Sequence, residues 1–290
     1  MLYYIVDANN NQRERPDCLH QRYFPACFTG STTDKRPGHS ARIWHFRFRS
    51  RPWIICRCSV DEHLDRFYHS AEQMRLAPGK DRDQLREVIR ELAAQNNIAN
   101  AGIRITLTGG YSPDGYSITR PNLVITQQPL QLPDREQFRR GLRLISYPHQ
   151  RQMPQVKSLD YLMAIWLQPL IREKGADDVL YQYNGLVSEC PRANFFIVTG
   201  NDTVVTSSQP LKGIIRMKTL EIACKQFKVE ERELTLEEVY QAREAFITST
   251  TKHILPVVQL DGRAIGDGEP GNITTMLNME LDDLIYNDEA

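Results

Sequence analysis

No stretch of this chain approaches the roughly 18 consecutive apolar residues that a membrane span needs. An excess of one charge sign is missing too: 36 basic and 36 acidic side chains leave a formal net charge of zero. A balanced chain has no whole-molecule field to draw it to nucleic acid or an anionic surface, so neither is expected as a partner. The start, MLYYIVDANNNQRER, lacks the basic-then-apolar order of a secretory signal. Six cysteines without regular spacing make no disulfide framework, and point to reduced thiols and a cytoplasmic location. Internal repeats and low-complexity tracts are also lacking. What is present is ordinary globular text: 290 residues, 41% hydrophobic and 25% charged. That is enough for one large domain or two smaller ones.

The averages hide one anomaly. Residues 13–57 carry nine Arg and one Lys against three acids, and Cys18, Cys27, Cys56, Cys58, Trp44 and Trp53 all fall there or one residue beyond. Within it, HSARIWHFRFRSRPWIICRCSV has aromatics, arginines and cysteines but no acid and no clear period. A nucleic-acid arm would use such a mix of Arg and aromatics. A metal site is disfavoured because Cys56 and Cys58 lack a matching second pair.

From Val60 onward the text is regular. VDEHLDRFYHSAEQMRLAP places Leu64, Phe67, Ala71 and Met74 at helical spacing and is closed by Pro78-Gly79; DRDQLREVIRELAAQNNI repeats the pattern with Leu85, Val88, Ile89 and Leu92. AGIRITLTGG and PNLVITQQP read as strands joined by a turn-rich segment. A first domain is expected over 1–127, a proline-bearing linker over 128–134, and a second domain over 135–290. In the second, LRLISYP reads as a strand and SLDYLMAIWLQPLIREKG as one helix. Hairpins are expected around Asn184-Gly185 and Gly200-Asn201. IIRMKTLEIACKQF, LEEVYQA and the final GNITTMLNMELDDLIYND read as helices, with strands between them. The mix is α+β with much antiparallel hairpin character.

Several residues in this second part have the makings of a site. Lys157 stands where a strand-like stretch passes into an amphipathic one; a lysine there is ordinarily a solvated surface group. Glu189 follows a hairpin, and a buried acid at a strand end calls for a cationic partner. Gly213, Ile214 and Ile215 open a helix, whose free N–H groups and dipole favour an anion. Ser249, Thr250 and Thr251 lie in a strand-to-loop turn suited to phosphate oxygens, although caps and turns use the same residues.

Taken in order, VKSLDYL, GLVSECPRANFFIV, LKGIIRMKTLE and FITSTTKHILPVVQLDG resemble the signatures of the fold-type IV pyridoxal-phosphate enzymes. These are the branched-chain aminotransferases, D-amino-acid transaminases and aminodeoxychorismate lyases. DEHLDRFYHSAEQM is similar to the family's N-terminal domain, so the resemblance runs from about Val60 to about Gly271 through five separated motifs. It implies a small N-terminal α/β domain, a larger domain with an antiparallel-rich, barrel-like sheet, and a homodimer.

By this resemblance Lys157 is the Schiff-base lysine, whose amine must be neutral to attack a carbonyl and later carry a proton. Glu189 resembles the acid that keeps the pyridine nitrogen of pyridoxal 5′-phosphate (PLP) protonated. Arg66 resembles the phosphate-binding arginine, with the backbone of Ile214 and Ile215 and the side chain of Thr250 as further phosphate contacts. Tyr161, four residues after Lys157 and expected on the same helix face, resembles a cofactor-contacting tyrosine; a buried core tyrosine is the alternative. Gly109 and Thr251 fall at substrate positions. The activity implied is transamination between an amino acid, of L-branched-chain or similar apolar kind, and a 2-oxo acid such as 2-oxoglutarate. An aminodeoxychorismate lyase, a D-amino-acid transaminase and an inactive PLP-fold protein are the alternatives.

Three departures stand out. Ile215 replaces a common Thr, Cys190 a common small residue, and Gly109 an arginine of the D-specific members. The family's first motif is also missing before DEHLDRF. Shifting DKRPGHSARIWHFRF by one base permits INDLAIQRGYGIFDF, and a two-base shift of Arg49 to Ser59 permits FEAVDNMPLF. Trp44 has a single codon, so the glycine it yields is forced. Residues from about 28 to 59 are therefore read as out of frame, and the printed chain is expected to fold poorly in its first 60 residues.

Overall fold

The computed structural model describes residues 3–7, 46–48, 60–98, 101–130 and 132–286. The stretch read as out of frame lies outside these residues, apart from the backbone of a three-residue strand. Strands β1 (Tyr3–Asp7) and β2 (Phe46–Phe48) flank the first sheet; helices α1 (Val60–Gln73) and α2 (Arg82–Asn96) precede its central strands, β3 (Ala101–Thr108) and β4 (Asn122–Pro129). The order is β1-β4-β3-β2, antiparallel throughout. Strand β3 alternates: Ile103, Ile105 and Leu107 are fully buried under the two helices, while Arg104 faces the other way and is only partly buried. Leu64 and Phe67 of α1 and Leu85 and Ile89 of α2 close this core, each fully buried apolar side chain contributing about 1.5–3 kcal/mol. Helix α2 starts where its capping box predicts. The Asp81 carboxylate accepts from the Gln84 N–H at 2.9 Å, and the Gln84 side chain accepts from the Asp81 N–H at 3.0 Å.

Strand β4 runs to Pro129, two residues into the expected linker, and a short helix absent from the sequence reading, α3 (Arg135–Arg140), follows. Asp134 caps α3 by accepting from the Gln137 N–H at 2.7 Å. After it come β5 (Leu142–Pro148), α4 (Leu162–Trp166), α5 (Gln168–Glu173), β6 (Asp178–Tyr183), β7 (Leu186–Val187), β8 (Glu189–Cys190), β9 (Ala193–Val198) and β10 (Val204–Ser207). The chain ends in α6 (Ile214–Ala223), β11 (Val229–Arg232), β12 (Leu234–Thr235), α7 (Leu236–Tyr240), β13 (Glu244–Ser249), β14 (His253–Leu260), β15 (Arg263–Ala264) and α8 (Asn272–Tyr286). Eleven strands form one barrel-like sheet, ordered β11-β10-β9-β13-β14-β5-β6-β7-β12, with β8 on β9 and β15 on β14. Its pairings are antiparallel except β10–β11, β14–β5 and β5–β6. The mixed α+β architecture matches the expectation.

One helix expected from sequence is absent. Residues 158–175 do not form a single helix but two short ones, α4 and α5, meeting at Leu167. Pro169, which lacks a donor, sits in the first turn of α5, where a missing N–H does no harm. Ahead of α4 the chain makes tight turns, with the Ser158 N–H on the Val156 carbonyl and the Tyr161 N–H on the Leu159 carbonyl. Lys157 is therefore not helical, and Tyr161 is the residue that begins α4. The i, i+4 argument that linked them fails.

Candidate active site

A cavity of about 840 Å³ opens between the two sheets. Arg66 reaches it from α1, Arg104 from β3, Lys157 and Tyr161 from the turns before α4, and Glu189 from β8. Ile214 and Ile215 line it from the first turn of α6, and Thr248 to Lys252 from the turn between β13 and β14. Of the residues singled out in the sequence, Lys157, Arg66, Tyr161, Glu189, Ile214, Ile215, Thr250 and Thr251 thus share one cavity. Gly109 does not line it; its carbonyl accepts from the Thr119 N–H at 2.8 Å and closes the β3–β4 loop.

At one end the wall is built for an anion. Helix α6 begins at Gly213 with no side-chain cap, so its first N–H groups are open to the cavity. A Cβ at 213 would collide with Oδ1 of Asn194, whose Nδ2 donates to the Leu211 carbonyl at 2.8 Å. That close approach is what the glycine permits. Arg66 stands beside this end, its Nη1 donating to the Lys212 carbonyl at 3.3 Å. Burial pulls its guanidinium down to about 9. The Thr248 hydroxyl, buried in the cavity wall, has no hydrogen-bond partner among the described residues.

At the other end Arg151 Nε donates to Glu189 Oε1 at 2.7 Å, and its Nη2 holds the Pro154 carbonyl at 2.7 Å. Burial pushes the Glu189 carboxyl up while Arg151 pulls against it. Arg151 is the cation that the buried acid required, and the sequence reading did not name it. Arg104 and Arg192 were also missed. Burial lowers Arg104, and Arg192 is exposed to the cavity with no ion-pair partner among the described residues.

Lys157 stands among these cations. Burial lowers its amine to about 7, with Arg66, Arg151 and Arg192 adding repulsion against the pull of Glu189. A lysine that is substantially neutral near pH 7 is a nucleophile and a base. Tyr161, raised by burial, keeps its proton over the same range. The donor set fits a phosphorylated aldehyde cofactor: open helix N–H groups and Arg66 for a phosphate, an orphaned hydroxyl beside them, a neutral amine for the carbonyl, and a buried carboxylate for a protonated ring nitrogen.

The comparisons agree with this geometry. Residues 49–260 match the class IV amino-transferase family. A D-alanine aminotransferase of Bacillus licheniformis is 30% identical over 241 residues, covering 80% of this chain and 84% of its own. A D-alanine aminotransferase of Listeria monocytogenes is 30% identical over 232 residues, covering 76% and 79%. Among solved structures, a branched-chain amino acid aminotransferase with pyridoxamine 5′-phosphate, from the source abbreviated T.th., superposes with a TM-score of 0.75 at 22% identity, covering 86% of this chain and 87% of that one. A branched-chain amino acid aminotransferase of Escherichia coli gives 0.72 at 24% identity, covering 87% of each chain. The structural likenesses carry the fold; the family match and the relatives at 30% carry the membership. The chain belongs to the class IV aminotransferases, enzymes that use PLP.

Proposed function

We propose that this chain binds PLP in the cavity and moves an amino group from an L-amino acid of branched-chain or similar apolar kind to a 2-oxo acid such as 2-oxoglutarate. The observation that carries this reading is a lysine held near pH 7 between an anion-binding helix start and a buried carboxylate. Arg66, the N–H groups of Ile214 and Ile215, and Thr250 hold the phosphate, and Glu189, oriented by Arg151, holds the ring nitrogen. When bound, PLP supplies an electron sink for the charge that develops at the substrate Cα. Nζ of Lys157 takes the proton from that carbon and later gives one back. Tyr161 stays protonated beside it as a donor. Arg104 and Arg192 receive the substrate carboxylate, whose bidentate acceptors suit a guanidinium fork. Leu130 and Ile165 supply apolar wall for the side chain.

The D-specific reading is favoured by the two D-alanine relatives but lacks an arginine at Gly109. The reading includes a cytoplasmic homodimer; Leu162, Ile165 and Trp166, exposed on and beside α4, offer apolar surface for a second copy. No helix among the described residues is long and apolar enough to cross a membrane. The test is spectroscopic and chemical. The protein with PLP should be yellow, change colour with L-leucine, L-isoleucine or L-valine, and form glutamate from 2-oxoglutarate; Lys157→Ala should abolish both. Turnover of D-alanine instead supports the D-specific reading, and pyruvate released from aminodeoxychorismate supports a lyase.

A further inference from the structure

Helix α1 presents Glu62, Arg66 and Ser70 at intervals of four residues, which places them on one face. All three touch the segments that build the cavity. Glu62 pairs with Lys218 at 3.0 Å, Arg66 donates to the Lys212 carbonyl, and Ser70 Oγ accepts from the backbone N–H of Lys157 at 3.3 Å. Lys212 and Lys218 lie on either side of the first turn of α6. One rigid helix therefore contacts the anion end of the cavity and the lysine end together.

Ser70 is fully buried, so its hydroxyl serves no solvent. Lys157 lies outside every helix and strand, where its N–H has no ladder to join; a backbone donor in a buried setting needs an acceptor from elsewhere. We infer that Ser70 is a positioning residue, which fixes the backbone of Lys157 and ties it, through one turn of α1, to Arg66 at the anion end. The inference rests on Lys157 being the lysine that bonds to the cofactor. Its consequence is a coupling. An anion that anchors Arg66 also steadies the helix that holds the lysine, so capture of the phosphate prepares the amine for the aldehyde.

The test uses cofactor-free full-length protein in four forms: wild type, Ser70→Ala, Arg66→Met and the double variant. PLP is added, the bond to Lys157 is trapped with borohydride at intervals, and the labelled fraction is read by mass spectrometry. Ser70→Ala should slow labelling about fivefold in the wild-type background, the effect of one ordinary hydrogen bond. In the Arg66→Met background the slowing should be less than about twofold, because contacts that act as one unit are not additive. Ser70→Thr, which keeps the hydroxyl, should recover most of the rate. Equal slowing in both backgrounds, or none in either, overturns the inference, since a merely structural loss would not depend on Arg66. Should Ser70→Ala fail to fold, Ser70→Cys, close in size and a weaker acceptor, carries the same cycle. Labelling that persists in Lys157→Ala would instead overturn the assignment of the lysine, and leaves a different mass signature.

Discussion

Replacing Lys157 by methionine should make the cofactor-free protein more stable, and more so in acid than in alkali. The native amine titrates near 7 where a free one titrates at 10.5. Between those values the unfolded chain binds a proton that the native chain does not, so this group makes stability rise with pH across that window. Below about 7 both states are charged and the native state bears the full cost of holding an ammonium beside Arg66, Arg151 and Arg192. The fall from 10.5 to about 7 corresponds to an upper limit of about 5 kcal/mol. Lys157 is only partly buried and faces a cavity wide enough for water, so screening reduces that to roughly 1–3 kcal/mol. Methionine keeps the length of the side chain without its charge. Urea unfolding of both proteins at pH 6, 8 and 10 measures the difference, and other titrating groups cancel between them. The variant should lead by the full amount at pH 6 and by little at pH 10. A lead independent of pH, or a variant weaker at pH 6, would refute the electrostatic account of this lysine.

Gly213→Ala should weaken PLP binding at least tenfold, measured by fluorescence quenching, because its Cβ meets Asn194 at the phosphate end; unchanged affinity would move the phosphate elsewhere. Arg192→Met should raise KM for both substrates by about tenfold or more, the worth of a charge-assisted hydrogen bond, with kcat less affected; an unchanged KM would leave the carboxylate to Arg104 alone. DNA read independently across codons 20 to 62 should show compensating single-base changes that restore the family's first motif by the codon for Val60, and the corrected protein should outperform the printed one in activity. Confirmation of the printed frame, with normal turnover from it, would sink that reading.

Local pattern and tertiary demand separate what was legible from what was not. Helices α1 and α2 were readable because their apolar residues recur with the helical period and Asp81–Gln84 is a capping box. The hairpin at Asn184-Gly185 was readable because both residues adopt positive φ, as its turn requires. The break between α4 and α5 was partly readable in Pro169, but apolar periodicity across it argued for one helix. The turns from 149 to 161 carry no such local signal; Arg151 helps set their path by holding Glu189 and the Pro154 carbonyl, and its partner lies 38 residues away. Arg104 had a signal that went unused: in IRITLT it is the long cation on the face opposite Ile103, Ile105 and Leu107. The family match begins at residue 49, just beyond the fifteen residues that the one-base shift rewrites.

The charge of the cavity connects stability to function. Arg66, Arg104, Arg151, Arg192 and Lys157 face it, and Glu189 neutralises only Arg151 directly; Asp178 is engaged by Lys252 and Asp177 by Arg140. A compact body gains nothing from gathering like charges in a partly buried space, and the lowered amine of Lys157 is one visible cost. A phosphate at Arg66 and a carboxylate at Arg104 and Arg192 would each offset part of it, so anions that bind the native state alone must stabilise it by mass action. The same charges explain why the lysine is neutral before any substrate arrives. As the anions bind, repulsion on Nζ falls and its affinity for a proton rises, which is the direction a base needs when it takes the proton from Cα. The cations that weaken the empty fold therefore tune its lysine in two stages, first for attack and then for proton transfer.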